Sequence, residues 1–152
     1  MGNIKIENIK EDIIINLKSD MYIENDIKEK LKNALILACI VLDYDFEYLS
    51  YIYYKSRKME LVLIRYMAIY LFINIYNINY SGRNRIIMKI GYLLNIDRTT
   101  CLHGLKVVDN LLYSNKLIKN KTLALLDEIK KKKQEMLSDI QKDLINLIIK
   151  ES

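Results

Sequence analysis

The sequence predicts an all-α fold, a multi-helix bundle that contains a helix-turn-helix and carries an added long C-terminal helix. Three observations predict it. The 152 residues include no Pro and only four Gly, so few residues break a helix. Apolar residues recur at spacings of three and four over most of the chain, the period of a half-buried helix. Two such stretches are separated only by Asn95-Ile96, and the second has a compact polar face, the pattern of a helix-turn-helix. The length suits one domain with its own core.

Residues 1–28 are read as an N-terminal extension. Ile9, Ile13, Ile14 and Leu17 fit one helical face behind Asn8 as a cap, although Ile13-Ile14-Ile15 equally suits a strand. Residues 19–26 read as a polar connection. Asp26 with Glu29 makes a capping-box pattern. Leu31, Ala34, Leu35, Ala38, Cys39 and Leu42 then line a helix. Asp43 or Asp45 caps a short helix, Phe46 to Tyr51. Lys55-Ser56-Arg57-Lys58 follows as a basic loop.

Residues 59–76 are apolar on every side, which predicts a buried central helix. The run is short for a membrane span and contains Arg65 and Asn74, so no membrane role is expected. Arg65 is expected to leave the core and reach phosphate or a minor groove. Residues 77–85 are predicted as a loop hinged at Gly82. Asn84 is expected to cap a helix from Arg85 to Leu94, with Ile87, Ile90, Leu93 and Leu94 buried. Gly91 inside that helix predicts close approach of a neighbouring element.

Asp97 suits the N-cap of the next helix. Leu102, Leu105 and Leu112 lie on its apolar face, and Arg98, Thr99, Thr100, His103 and Lys106 can line another. Such a helix can be held by a core while its polar side chains meet base edges. From residue 115 to 149 Leu123, Leu126, Ile129, Met136, Ile140, Leu144 and Leu147 keep a three-four rhythm, interrupted by Lys130 to Lys133, which is expected to be a solvated face.

Charge is unevenly spread. Residues 1–50 hold six Lys/Arg and ten Asp/Glu, whereas residues 51–106 hold nine and two, a local balance of +7 within a chain total of +5. A localised basic field suits a polyanion partner. Cys39 and Cys101, both in apolar settings, read as reduced buried thiols. With His103 the only histidine, they cannot build the usual four-ligand zinc site. No cofactor and no catalytic constellation is expected, so the chain is not read as an enzyme. The acidic N-terminus lacks the apolar run of a signal peptide, which leads to a cytoplasmic expectation.

These residues carry a resemblance. Gly91-Tyr92-Leu93-Leu94-Asn95-Ile96-Asp97-Arg98-Thr99-Thr100-Cys101-Leu102-His103-Gly104 resembles the signature G-x-x-F-G-G-R-D-H-T-T-V-L-H-A of the C-terminal DNA-binding domain of the bacterial replication initiator DnaA. Arg65-Tyr66-Met67-Ala68-Ile69-Tyr70-Leu71 is similar to that family's R-x-M-A-M-x-L. Ile90-Gly91 matches its I-G, and Lys55, Arg57 and Lys58 fall where it has a basic loop. The resemblance runs from about Leu31 to Ile129 and frames a domain over residues 29–129 between extensions 1–28 and 130–152.

The resemblance implies a Trp-repressor-like helix-turn-helix that binds short AT-containing boxes at replication origins. It implies that Thr99, Thr100 and His103 face bases or phosphates, that Asp97 accepts from cytosine N4, and that Arg65 enters the minor groove. It further implies that Lys55, Arg57 and Lys58 bind phosphates. Two departures stand out. The family's G-G-R is replaced by the shorter Asn95-Ile96, and Arg98 stands where the family has histidine, from where it can reach guanine. With glycines only at 2, 82, 91 and 104, no phosphate-binding P-loop can be written, so no nucleotide is expected. The expected version is stand-alone, of the kind suited to a phage or mobile element. A second reading keeps the fold without DNA, as an interaction or virion-associated module that self-associates or binds a protein through the C-terminal helix.

Overall fold

A computed structural model describes residues 27–76 and 80–151. Among them lie five α-helices, α1 (Ile27–Leu42), α2 (Met59–Ile75), α3 (Tyr80–Leu94), α4 (Arg98–Ser114) and α5 (Lys116–Glu151), with one 3-10 turn (Phe46–Tyr51) between α1 and α2. No described residue lies in a strand. The fold is an all-α multi-helix bundle. The capping position Asp26, the short helix proposed near Asn8 and the strand alternative at Ile13 all lie outside the described residues.

Helix α2 is the centre. Ile64, Met67, Ala68, Ile69, Leu71 and Phe72 are fully buried, which accounts for its apolar character on every side. The other four helices and the 3-10 turn all pack on it. Helix α1 presents Leu31, Leu35, Ala38 and Leu42 to this core, as their spacing predicts. It ends at Asp43, whose φ of 58° lets Tyr44 N–H donate to the Cys39 carbonyl and Asp43 N–H to that of Ile40. This is the Schellman closure of a helix. Asp45, rather than Asp43, caps the 3-10 turn by accepting the Glu47 amide at 2.9 Å.

The expected loop over 77–85 is corrected by α3 from residue 80 on, and residues 77–79 lie outside the described ones. Helix begins at Tyr80, so Gly82 is not a hinge and Asn84 is an interior residue instead of a cap. Helical hydrogen bonding tolerates Gly, Ser and Asn within a turn when the next turn supplies a buried face. Here Ile86, Ile87, Ile90 and Leu94 supply it, with Leu93 only half-buried.

Helix α5 runs unbroken through residue 130, where the sequence suggested an extension begins. What changes near there is burial. Thr122, Leu125 and Ile129 are buried, whereas Leu123, expected on the packed face, is half exposed. Thr122 can occupy the core because its hydroxyl donates to the Ile118 carbonyl at 2.8 Å, which satisfies the buried polar group. Lys133 is likewise no solvated residue. Its Nζ donates to the Ile75 carbonyl at 2.7 Å and lies 5.1 Å from the centre of the Tyr76 ring. A cation at the last carbonyls of α2 is favoured by the helix dipole.

Candidate nucleic-acid interface

Helix α3 turns into α4 through Asn95, Ile96 and Asp97. Asn95 has φ of 61°, a left-handed conformation that Asn tolerates better than most residues. Ile96 N–H then donates to the Gly91 carbonyl at 2.9 Å and Asn95 N–H to that of Tyr92 at 3.2 Å, a second Schellman closure. Gly91 is where the chain folds back most tightly. A Cβ there would lie 2.8 Å from the Ile96 carbonyl oxygen and 3.1 Å from Cys101 Sγ. The close approach expected of this glycine is thus to the turn itself and to α4.

Asp97 starts α4. Its carboxylate accepts the Thr100 amide at 2.6 Å, and the Thr100 amide and hydroxyl hold its pKa below the ordinary carboxylate value. Cys101, Leu105, Val108 and Leu112 face the core, with Leu102 half-buried. Thr99, His103 and Lys106, spaced four and three apart, are exposed on the opposite face, and Thr100 is half-buried between the two. Helix α4 seats closely on α2 at Gly104, where a Cβ would come 2.7 Å from Tyr66 Cγ. The same Tyr66 ring meets His103 edge-on, with centroids 6.2 Å apart.

Arg65 overturns the expectation placed on it. It is 4% exposed and does not leave the core. Its Nε donates to the Ile52 carbonyl at 2.8 Å, Nη1 to that of Ser56 at 2.9 Å and Nη2 to that of Tyr54 at 2.5 Å. The physical reason is the chain path after the 3-10 turn. That segment has no strand or helix to take up its carbonyls, and a guanidinium with its fork of donors answers several at once. The loop that Arg65 grips carries Lys55, Arg57 and Lys58, all exposed. Ser56 Oγ accepts the Lys58 amide at 3.3 Å, and Lys58 Nζ lies 5.2 Å from the centre of the Tyr48 ring.

Between this loop and the α3–α4 turn lies a cleft of about 980 Å³. Lys55 and Arg57 line one side, Tyr92, Asp97 and Thr100 the other, and Tyr66 its floor. The structure therefore brings the basic loop and the start of α4 to one cleft. Arg98 is drawn to the α3 side, its Nη2 donating to Asn84 Oδ1 at 2.9 Å.

No protein-family model and no solved structure matches the chain.

Sequence reasoning missed Tyr92, which is 86% exposed at the mouth of the cleft. Its place two residues after the buried Ile90, off the apolar stripe, was the available signal. It also missed Asn84 as the partner of Arg98. Among the described residues no group of three or more His, Cys, Asp or Glu is placed to hold a metal ion, and no helix is long and apolar enough to cross a membrane.

Proposed function

We propose that this chain binds double-stranded DNA, with α4 entering the major groove and the loop at Lys55–Lys58 gripping the flanking phosphates. The observation that carries the reading is the shared cleft. Asp97 and Thr100 at the start of α4 line it opposite Lys55 and Arg57 of a basic loop that Arg65 locks to the core, and the exposed Thr99, His103 and Lys106 follow on the same helix. Backbone contacts fix register and base-edge contacts carry sequence information, and α4 and the basic loop together offer side chains for both. Arg98, Thr99 and His103 are suited to base edges or to the T methyl. Lys55, Arg57, Lys58 and Lys106 are suited to phosphate. Asp97 can still accept from cytosine with the acceptor capacity its cap leaves over.

The order of residues that resembles the DnaA C-terminal domain supports a role in replication initiation or its regulation, in a bacterial or phage-infected cytoplasm. Arg65 has a different part from the one the resemblance implies. It shapes the phosphate-binding loop instead of entering the minor groove.

Competition between a duplex holding an AT-containing initiator-type box and a scrambled duplex tests the reading. Tighter binding of the box duplex by tenfold or more is expected, a ratio of about 1.4 kcal/mol. Undetectable binding to both contradicts the proposal and would favour the second reading, an interaction or virion-associated module. The apolar, exposed far end of α5 is the feature that speaks for that alternative.

A further inference from the structure

Beyond residue 134 α5 has left the core, and from Leu137 to Lys150 every residue is exposed. This stretch projects for about 21 Å at 1.5 Å per residue. Leu137, Ile140, Leu144, Ile145, Leu147 and Ile148 along it range from 40% to 68% exposed. Together they offer on the order of 600 Å² of apolar surface, rather more than half of it on Leu137, Ile140, Leu144 and Leu147, against the roughly 800 Å² that each partner gives to a standard interface. A helical extension of this length is marginal in water without a packed face.

The order of residues indicates what covers it. Leu137, Ile140, Leu144 and Leu147 lie along one line at spacings of 3, 4 and 3. That spacing reads the same in both directions, and the lysine run Lys130 to Lys133 stands at its N-terminal end. We infer that this line pairs antiparallel with the same line of a second copy, forming a two-fold seam. Leu137 then faces Leu147 of the second copy, and Ile140 faces Leu144. An isologous contact requires this reciprocity, in which residue i meets j and j meets i.

A parallel arrangement would instead place two lysine runs side by side, an arrangement opposed by like charge. The apolar seam repeats at the three-four spacing of knobs-into-holes packing. Lys133 remains bound to the Ile75 carbonyl, so the seam begins where α5 is anchored to its own core. The inference does not depend on DNA binding.

Sedimentation of the full chain, up to about 100 µM so that mass action favours association, reads the assembly state. The expected result is a species of twice the chain mass. Ile140→Asp combined with Leu144→Asp should convert it to a monomer whose bundle still unfolds cooperatively, since both side chains are outside the core. A mixture of Leu137→Cys and Leu147→Cys chains should then oxidise chiefly to the mixed dimer. A wild-type chain that stays monomeric overturns the inference, whether or not it sediments with anionic lipid vesicles. So does an assembly that survives the double substitution, even if it is lost on removing residues 1–26. Cross-linking of each cysteine variant with itself in preference to the other overturns the antiparallel pairing.

Discussion

Arg65 and Ser56 are joined by a 2.9 Å hydrogen bond from Nη1 to the Ser56 carbonyl, and through it the centre of the bundle governs the shape of its most basic surface loop. Two further bonds, to the carbonyls of Ile52 and Tyr54, make the guanidinium a clamp. Hydrogen bonds from an ionised donor exceed neutral ones in strength, and a carbonyl left without its partner adds a desolvation cost.

Arg65→Ala should therefore lower unfolding stability by about 3 kcal/mol in a urea titration. Amide exchange should rise at residues 52–58 more than in α1. Arg65→Lys should keep the charge and recover only part of both effects, because an ammonium cannot span three carbonyls as a planar fork does. Equal exchange in the loop for wild type and Arg65→Ala would contradict the clamp.

Gly91 and Gly104 are positions where added volume meets fixed neighbours. Gly91→Ala presses on the Ile96 carbonyl oxygen, and Gly104→Ala presses into the Tyr66 ring. Each should cost about 1–3 kcal/mol, the usual range for overpacking. The readouts should differ. Gly104→Ala should alter the Tyr66–His103 contact seen by NMR, whereas Gly91→Ala should alter the amides of Asn95 and Ile96.

Asp97 gives a pH signature. Its folded pKa lies below the ordinary carboxylate value because the Thr100 amide and hydroxyl hold the charged form. Its contribution to stability is fully present above the unfolded pKa and is lost as pH falls through the folded one. The stability difference between wild type and Asp97→Asn should thus be constant near neutrality and shrink in acid. A difference that persists unchanged into strong acid would contradict the cap.

The two thiols give the opposite sign at alkaline pH. Burial pushes Cys39 up to about 12 and Cys101 up to about 11. Their contribution is complete below the unfolded thiol pKa, about 8.5, and declines as pH rises through the folded values. Neither thiol should react with a thiol reagent at neutral pH until the chain unfolds, measured as labelling against urea concentration.

Legibility in the sequence followed periodicity. The apolar stripes of α1 and α4 and the buried centre of α2 were readable because burial acts on spacing, and Asp97 was readable because an N-cap is a local interaction. The start of α3 was not, since Gly82 and Asn84 signal loops locally and only the buried Ile86-Ile87 turn outweighs them. Arg65 and Lys133 were misjudged for one reason. Each answers carbonyl oxygens whose position depends on how separate segments meet, 9 to 13 residues away for Arg65 and 58 for Lys133. The face of α5 was misplaced at Leu123 because a threonine that bonds its own helix counts as polar in a pattern and as apolar in a core.

The most direct measurement is the affinity of the intact chain for a box-containing duplex between 50 and 200 mM salt, roughly the range over which phosphate contacts are read out. The account predicts a linear fall of log K with log salt. It also predicts a slope shallower by about one for each of Lys55→Ala, Arg57→Ala and Lys58→Ala. No binding at the lowest salt, or a slope that none of the three substitutions changes, would contradict it.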